Sequence, residues 1–443
     1  MSDREGIPLP VIIVGAGVSG LLLAQHLRKT NVPFRLYERD LDLTTRGVGW
    51  GLTLHWSLPA LRSLLPEDLV VRLPDAYVDR AAVARGEASA FPFFDLSTGE
   101  LRGASPREPE NLRIRVTRER LRRLLATDVD IQSMDVTPLF FETLHLTSTT
   151  VLNSSYTQWG KSFVKFEEKQ DSVVVSFDDG SSVTGRMVVA CDGGPSRVRR
   201  QLFPDQHERY RIPVRVLGLK VPLSPDQMAP IRKLDPFFLQ GASSRNDTFL
   251  YLSMLDSPGN NEESTGDFSC QMCISWPDRP GFLGKAAPTG YPQTSGSKIE
   301  FIRSLAESWS EPFRGLTLGI PADTDVKHLD LYDYAPPKGL RSKGRAVLMG
   351  DAFHAMAMYR GEGANHAIID VLDFAETVAP ALNADFAELR AAIDVYEDRV
   401  VARARPGVLA SRRACLDAHD WPRISPASPL LSKREMMLQF DEE

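Results

Sequence analysis

Two acidic turns and two glycine-rich loops hold the residues of this chain best suited to chemistry. Gly350-Asp351 follows the short apolar run 345–349, and Asp192-Gly193 follows the apolar run 187–191. The carboxyl end of a buried strand is where α/β sheets bind their ligands, so both carboxylates stand where a ligand is expected. Downstream of Asp351, Gly361 and Gly363 open a stretch in which Ala367, Ile368, Val371, Leu372 and Ala375 recur at helical spacing, closed by Pro380. Uncovered N–H groups at the positive end of that helix stabilise an anion or an electron-rich ring edge. Between the acidic turn and the glycines lie His354 and Tyr359, placed either to meet a substrate or to pack.

The other glycine loop is Gly15-Ala16-Gly17-Val18-Ser19-Gly20, with the buried-strand run 11–14 before it and the apolar helix 21–27 after it. That context makes Gly15, Gly17 and Gly20 a dinucleotide fingerprint. A second strand, 34–37, ends in Glu38, whose carboxylate can accept hydrogen bonds from a ribose diol. Arg39 beside it either stacks on adenine or stays solvated. Glycines 47, 49 and 51 lie in a segment able to approach a cofactor closely, because glycine carries no β-carbon. Thr117 caps a helix whose Leu121, Leu124 and Leu125 face inward. Arg118, in its first turn, is the residue aimed at a cofactor; Arg120, Arg122 and Arg123 read as a solvated face.

The elements that must position these residues fit an ordinary globular chain of 443 residues, with 42% hydrophobic and 25% charged residues and a net charge of -6. There is no basic excess to attract nucleic acid or an anionic membrane, and no apolar run approaches a membrane span. The polar start shows no signal peptide, so a cytoplasmic location is expected. Four cysteines supply no disulfide framework. Cys270 alternates along a strand face with Phe268, Met272, Ile274 and Trp276, so Cys270 and Cys273 point to opposite sides and read as packing residues. No protein partner is evident.

Residues 173–177, the turn 178–181 and Val183 form a β-hairpin. Residues 205–330 alternate as strands with polar, Gly- and Pro-rich connections, notably 256–267 and 284–298, and read as a sheet-rich lobe with mobile loops. Phe237, Phe238, Tyr251 and Trp276 can line a pocket there or form its core. A helix follows over about 385–417, and the Pro- and Ser-dotted tail suggests no chemistry. Residues 133–158 break the pattern, with ten Ser or Thr and no Lys or Arg. They read either as a surface hairpin or as an insertion outside the working fold, such as a translated intron.

Three motifs in order, GAGVSG with Glu38, CDGGPSRVR at 191–199 and GDAFHAMAMYRGEGAN at 350–365, resemble those of the FAD-dependent aromatic hydroxylases, the single-component flavoprotein monooxygenases, and of their fungal-type members in particular. The resemblance spans about residues 10–400. It implies an α/β fold: a Rossmann-like βαβ FAD-binding domain interleaved with a β-sheet-rich substrate domain, then C-terminal helices. The divisions it suggests are 1–204 for the first part of the FAD domain, with a sheet excursion at about 75–115, then 205–330 for the substrate domain. The FAD domain closes over 331–400, and a C-terminal helix and tail occupy 401–443.

By the same resemblance, Gly15, Gly17, Gly20 and Glu38 hold the ADP half of FAD, Arg118 its pyrophosphate region and Asp351 its ribityl chain, while Gly363 and Ala364 face the flavin. Gly51 belongs to the segment lying against the cofactor. Asp192, Ser196 and Arg199 match a motif linked to FAD and to NADH or NADPH, the transient co-substrate. The implied reaction uses molecular oxygen, through a flavin hydroperoxide, to oxygenate an apolar, aromatic or polyketide-like small molecule. One departure stands out: Met358, and Ala355, occupy positions where the family pattern has proline, so the turn is expected to be more flexible. That departure motivates a second reading, a flavin-binding relative without oxygenase chemistry.

Overall fold

Five short strands pair in parallel to form the sheet that carries the motifs. Its order is Ala346–Leu348, Met187–Ala190, Val11–Val14, Phe34–Tyr37 and Tyr156–Gln158. The computed structural model describes residues 8–45, 49–129 and 156–441. The three inner strands read as near-continuous hydrophobic runs because both faces of a parallel sheet are covered, here by helices including Val18–Lys29 and Gly363–Thr377 and by a three-stranded sheet of Phe163–Glu168, Val173–Phe177 and Ser182–Gly185. Register decides the site. Val14 stands opposite Ala190 and Tyr37, and Ala190 opposite Leu348, so the residues that follow each strand emerge side by side. The ladder continues one step into the loops: Gly15 N donates to Tyr37 O at 2.7 Å, Cys191 N to Val14 O at 2.7 Å and Met349 N to Ala190 O at 2.9 Å.

A seven-stranded sheet forms the second layer. Its order is Val326–Asp333, Tyr210–Leu223, Phe268–Pro277, Phe249–Asp256, Phe238–Ala242, Phe93–Asp95 and Leu101–Gly103. Cys270 packs with one hydrophobic cluster of this sheet and Cys273 with another, as their alternation requires. The hairpin Gly51–Leu54 with Ile114–Thr117 lies between the two sheets: Leu54, Ile114 and Val116 enter the core of the parallel sheet. Thr53 and Arg115 pair across it, and Arg115 donates to Ser253 on the seven-stranded sheet.

Three expectations change. Tyr156–Gln158 belong to the fold and not to an insertion: they form the edge strand beside Phe34–Tyr37, and Thr157 Oγ1 donates to Val129 O at 2.7 Å. Residues 130–155 lie outside the described residues. The helix Phe386–Asp417 runs unbroken through position 400, so a division there cuts one element. The connection after Phe249–Asp256 is tied down by Asp256, which accepts from Asn260 Nδ2 at 2.9 Å and Ser264 Oγ at 2.7 Å and pairs with Arg120 at 2.6 Å. The tail packs as well, with Ile424 and Leu430 in the same cluster as Tyr359 and Phe249. No described helix is long and apolar enough to cross a membrane.

Removing residues 133–158 as a block would therefore strip an edge strand from the parallel sheet and unpair Glu38 N from Gln158 O. The shortened chain should partition into the insoluble fraction. A monodisperse product with a cooperative melt would show that this strand is dispensable.

Candidate functional site

Close packing shapes the first glycine loop. A β-carbon on Gly15, whose φ is +108°, would stand 2.3 Å from Cys191 O, and one on Gly20 would stand 2.0 Å from Gly15 O. Gly17 differs, since nothing lies within 4 Å of the same position. Two glycines thus seat the loop against its neighbours, and the third leaves open space before the helix Val18–Lys29. The peptide of Ala16 is held from both ends: its N–H donates to Glu38 Oε2 at 2.7 Å, and its carbonyl accepts from Arg122 Nε at 2.9 Å. Arg122 is 3% exposed, which corrects its reading as solvated surface. Its helix is wedged between the lobes, so a polar face had buried acceptors to meet. Arg39 is exposed.

At the second motif, Asp192 Oδ2 accepts from Arg197 N at 2.8 Å and Val198 N at 3.3 Å, at the start of the helix Arg197–Leu202. Its other oxygen, Oδ1, is buried with no partner among the described residues, and desolvation raises the carboxyl above its ordinary range. Arg199 is buried and donates to the carbonyls of Gly194 and Ala352, both at 2.6 Å, with its plane over Tyr334 at 4.1 Å. Desolvation lowers it to about 10. One guanidinium thereby links the second motif to the third.

The third motif turns on a residue that the sequence reading did not single out. Asp370, fully buried in Gly363–Thr377, accepts from Gly350 N at 2.7 Å, lies 2.6 Å from His354 Nε2 and pairs with Arg403 at 2.6 Å. Burial alone would raise its pKa, but His354 and Arg403 hold it below the ordinary carboxylate range. The signal was available: an Asp among Ile368, Ile369 and Val371 on an apolar helix needs a buried partner. Asp351 behaves differently. Its surface is exposed, yet desolvation raises its pKa against the pull of His354 and Arg118, the signature of a carboxylate deep in an open cleft. Gly363 lies beside it, since a β-carbon there would be 4.0 Å from Asp351 Oδ1.

The opposite wall of the cleft is pinned to the same helix. Asn365 Nδ2 donates to Thr53 O at 3.0 Å, and its Oδ1 accepts from His55 N at 3.0 Å and Ser57 Oγ at 2.8 Å. Gly51 N donates to Gln271 Oε1 at 3.1 Å, and Arg118 N to Trp50 O at 2.8 Å. Gly15, Gly17, Gly20, Glu38, Asp192, Asp351, Gly363 and Ala364 thus gather along one edge of the parallel sheet, with Gly51 and Arg118 across from them. His354 and Tyr359 are set back from it. His354 is fully buried on Asp370, and Tyr359 is buried with its hydroxyl donating to Ser275 Oγ at 2.9 Å, so both position the turn and neither hydroxyl nor ring faces the cleft.

The turn that lacks proline is held by other means. Arg360 is buried and donates to Glu362 Oε2 at 2.6 Å, to Pro429 O, to Ser432 Oγ at 3.0 Å and to Lys433 O at 3.1 Å. Arg434 Nε returns a bond to Arg360 O at 2.8 Å, and Tyr334 N donates to Ala355 O at 2.8 Å. The expected flexibility is replaced by tethers to the tail.

Comparison with known proteins agrees with this layout. Residues 13–50 match the family model of the NAD(P)-binding Rossmann-like domain. The chain is 41% identical to a protein of Arthroderma benhamiae named "Probable FAD-dependent monooxygenase", with 96% of each covered. It is 34% identical to the FAD-dependent monooxygenase dbaB of Emericella nidulans, covering 85% of this chain and 88% of that one. In fold it is similar to 2,6-dihydroxypyridine-3-hydroxylase from Arthrobacter nicotinovorans, with a TM-score of 0.69 over 99% of both chains at 20% identity.

Two measurements probe the buried charges. Arg360→Gln leaves Glu362 buried without its cation, which should cost about 3 kcal/mol in urea unfolding, with partial recovery on adding Glu362→Gln. A loss under about 1 kcal/mol would show that the tether is idle. Buried His419 is held down to about 4, and His366 well below 6.5, by desolvation. The unfolded chain therefore binds more protons below pH 6.5, so stability should fall as the pH drops from 6.5 towards 4, by about 1.4 kcal/mol per pH unit for each histidine. His419→Gln should flatten that slope; an unchanged slope would refute the assignment.

Proposed function

The chain belongs to the family of FAD-dependent monooxygenases, and on that premise we propose that it hydroxylates a mostly apolar, aromatic or polyketide-like small molecule, using NADH or NADPH as electron donor. The observation that carries the reading of the site is the shared register of three strand ends, which brings three distant motifs to one edge. The alternative, a relative without oxygenase chemistry, is disfavoured by relatives that are themselves named monooxygenases.

FAD fits the residues present. Space is open at Gly17, Gly193 and Gly361, where no atom lies within 4 Å of a β-carbon position, and the carboxylate of Asp351 is exposed inside a deep cleft. When bound, FAD reduced by NADH or NADPH activates molecular oxygen for transfer to the substrate. In our assignment Gly15, Gly17, Gly20 and Glu38 hold the ADP half. Arg118 serves the pyrophosphate region, Asp351 the ribityl hydroxyls, and Gly51, Gly363 and Ala364 the ring system. Asp192 belongs to the same cradle through its unpartnered oxygen. The N-terminus of Gly363–Thr377 favours negative charge beside it. Asp370, through Gly350 and His354, fixes the Asp351 turn, while Asn365 keeps the two walls at a constant spacing. Arg360 and the tail keep the turn ordered. All four cysteines are buried and unpaired, which supports a reducing compartment such as the cytosol.

Purified protein should be yellow and should oxidise NADH or NADPH faster with substrate; protein that stays colourless after FAD reconstitution would sink this reading. Asp351→Ala removes a charge-assisted partner of about 1.5–3 kcal/mol. Its affinity for FAD should therefore drop about 10- to 150-fold in a titration of apoprotein by flavin fluorescence quenching. Stoichiometric, tight FAD in that variant would show the assignment of Asp351 to be wrong.

A further inference from the structure

Beside the hairpin Gly51–Leu54 and Ile114–Thr117 a surface groove leads inward. Its outer part, about 410 Å³, lies among Glu87, Arg107, Glu108 and Arg232. It shares residues 86–88 and 108–109 with an inner cavity of about 130 Å³, which ends at Thr53, Arg113, Arg115, Phe237 and Phe238. The inner end abuts the wall of the cleft already described, for Thr53 O accepts from Asn365 Nδ2 and a β-carbon on Gly51 would meet Arg115 Nη2 at 2.3 Å.

The charges along this path are uneven. Three carboxylates line the inner cavity, Glu87 and Glu108 also reaching the mouth, and two of the three have cations: Glu87 binds Arg85 at 2.7 Å and Arg232 at 2.9 Å, and Glu110 lies 3.5 Å from Arg62. At the inner end Arg115 forms no ion pair among the described residues. Arg115 is 8% exposed and, among the described residues, donates only to neutral hydroxyls, those of Thr53 at 2.6 Å, Tyr251 at 2.5 Å and Ser253, with its Nε buried and meeting no partner there. Arg113 follows the same pattern, donating to Ser89 O at 3.0 Å and Pro106 O at 3.1 Å with Nε buried and unpartnered. Glu108 and Asp235 attract Arg113 from a distance, but neither forms an ion pair with it among the described residues, and Asp235 already accepts from Ser89 Oγ and from the N–H groups of residues 90, 237 and 238. A buried guanidinium without a counterion is costly, and bidentate recognition of a delocalised oxyanion is what its fork geometry suits best. Phe238, with the Arg115 guanidinium carbon 5.2 Å from its ring centre, gives the cavity a flat apolar wall.

We propose that this cavity binds a planar ligand through a delocalised oxyanion, a carboxylate or a vinylogous acid, read by Arg115 and Arg113 against Phe238. The proposal rests on the monooxygenase reading only in taking that ligand to be the substrate: the enzyme then acts on acidic members of the aromatic and polyketide-like class, held by their acid end.

The test uses the FAD-loaded protein and two matched probe pairs, 3-hydroxy-2-naphthoic acid with its methyl ester, and 2-acetyl-1,3-cyclohexanedione with its methyl enol ether. Binding is measured by calorimetry, with NADH and NADPH oxidation followed in parallel. At least one acid should bind the wild type about tenfold or more tightly than its neutral partner, and the pair that does so identifies the source of the oxyanion. In Arg115→Gln, and less completely in Arg113→Gln, the preference should shrink to within about twofold. No acid preference in the wild type for either pair overturns the proposal, as does a preference that survives in both variants. Should Arg115→Gln fail to fold, the wild type and Arg113→Gln decide it. Acid binding without stimulated NADH or NADPH oxidation would count against the hydroxylase reading and leave this site standing; stimulated oxidation without acid preference would do the reverse.

Discussion

The site depends on how closely the chain ends of three parallel strands can approach one another. Gly15 has no room for a side chain against Cys191 O, and Gly20 none against Gly15 O, so the first helix rests directly on the turn that precedes it. Had either position carried a β-carbon, the loop would stand away from Cys191, and the bond from Cys191 N to Val14 O would be lost with it. The second motif would then no longer align with the first. Backbone contact at this point is therefore what lets short-range sequence motifs, far apart in the chain, act as one surface.

Charge is buried in two ways around that surface. Asp370 is a buried anion fully met by Gly350 N, His354 and Arg403, and Arg403 also reaches Asp373 at 3.1 Å and His366 Nδ1 at 3.0 Å. Such a network is high in stakes, because each member is costly if another is removed. Arg199 is a buried cation met only by carbonyl oxygens and an aromatic face. It forms no ion pair among the described residues, while the charge of Asp192 favours its protonated form. Both arrangements freeze backbone turns, which suits a cradle whose donors must be in place before a ligand arrives.

Much of this was legible in the sequence wherever a local pattern sufficed. The parallel strands announced themselves as unbroken apolar runs, the glycine loop by its context, and Asp351 by its place after a strand. Thr117 caps its helix as its position suggested, accepting from Arg120 N at 3.2 Å. What failed was reading polarity as exposure. Arg122, Arg360 and Asp370 look like surface residues by type, yet each is buried because a partner far along the chain awaits it: Ala16, the tail, and Arg403. Likewise Tyr156–Gln158 were grouped with a polar stretch by composition. An edge strand needs only backbone groups to pair, so composition carried no sign of it. A single sequence displays its own periodicity, but not the pairing between distant segments.

The turn without proline shows how such pairing changes behaviour. Proline stiffens a turn chiefly by restricting the unfolded chain, and that effect is local and permanent. Here Met358 and Ala355 leave the unfolded turn free, and its order comes from Arg360 reaching Pro429, Ser432 and Lys433, with Arg434 reaching back. Order in the turn is thus conditional on docking of the tail, which itself packs through Ile424 and Leu430 against the seven-stranded sheet. The same Arg434 lies over Phe91 at 5.1 Å, and Phe91 meets Phe238 edge-on at 4.7 Å, at the wall of the inner cavity. Phe238 in that cavity is therefore three contacts from the turn beside Asp351. Long-range tethers stand here in place of proline, and a continuous line of side chains runs from the turn through Arg434 and Phe91 to the wall of the inner cavity, a line that a locally rigid turn would not require.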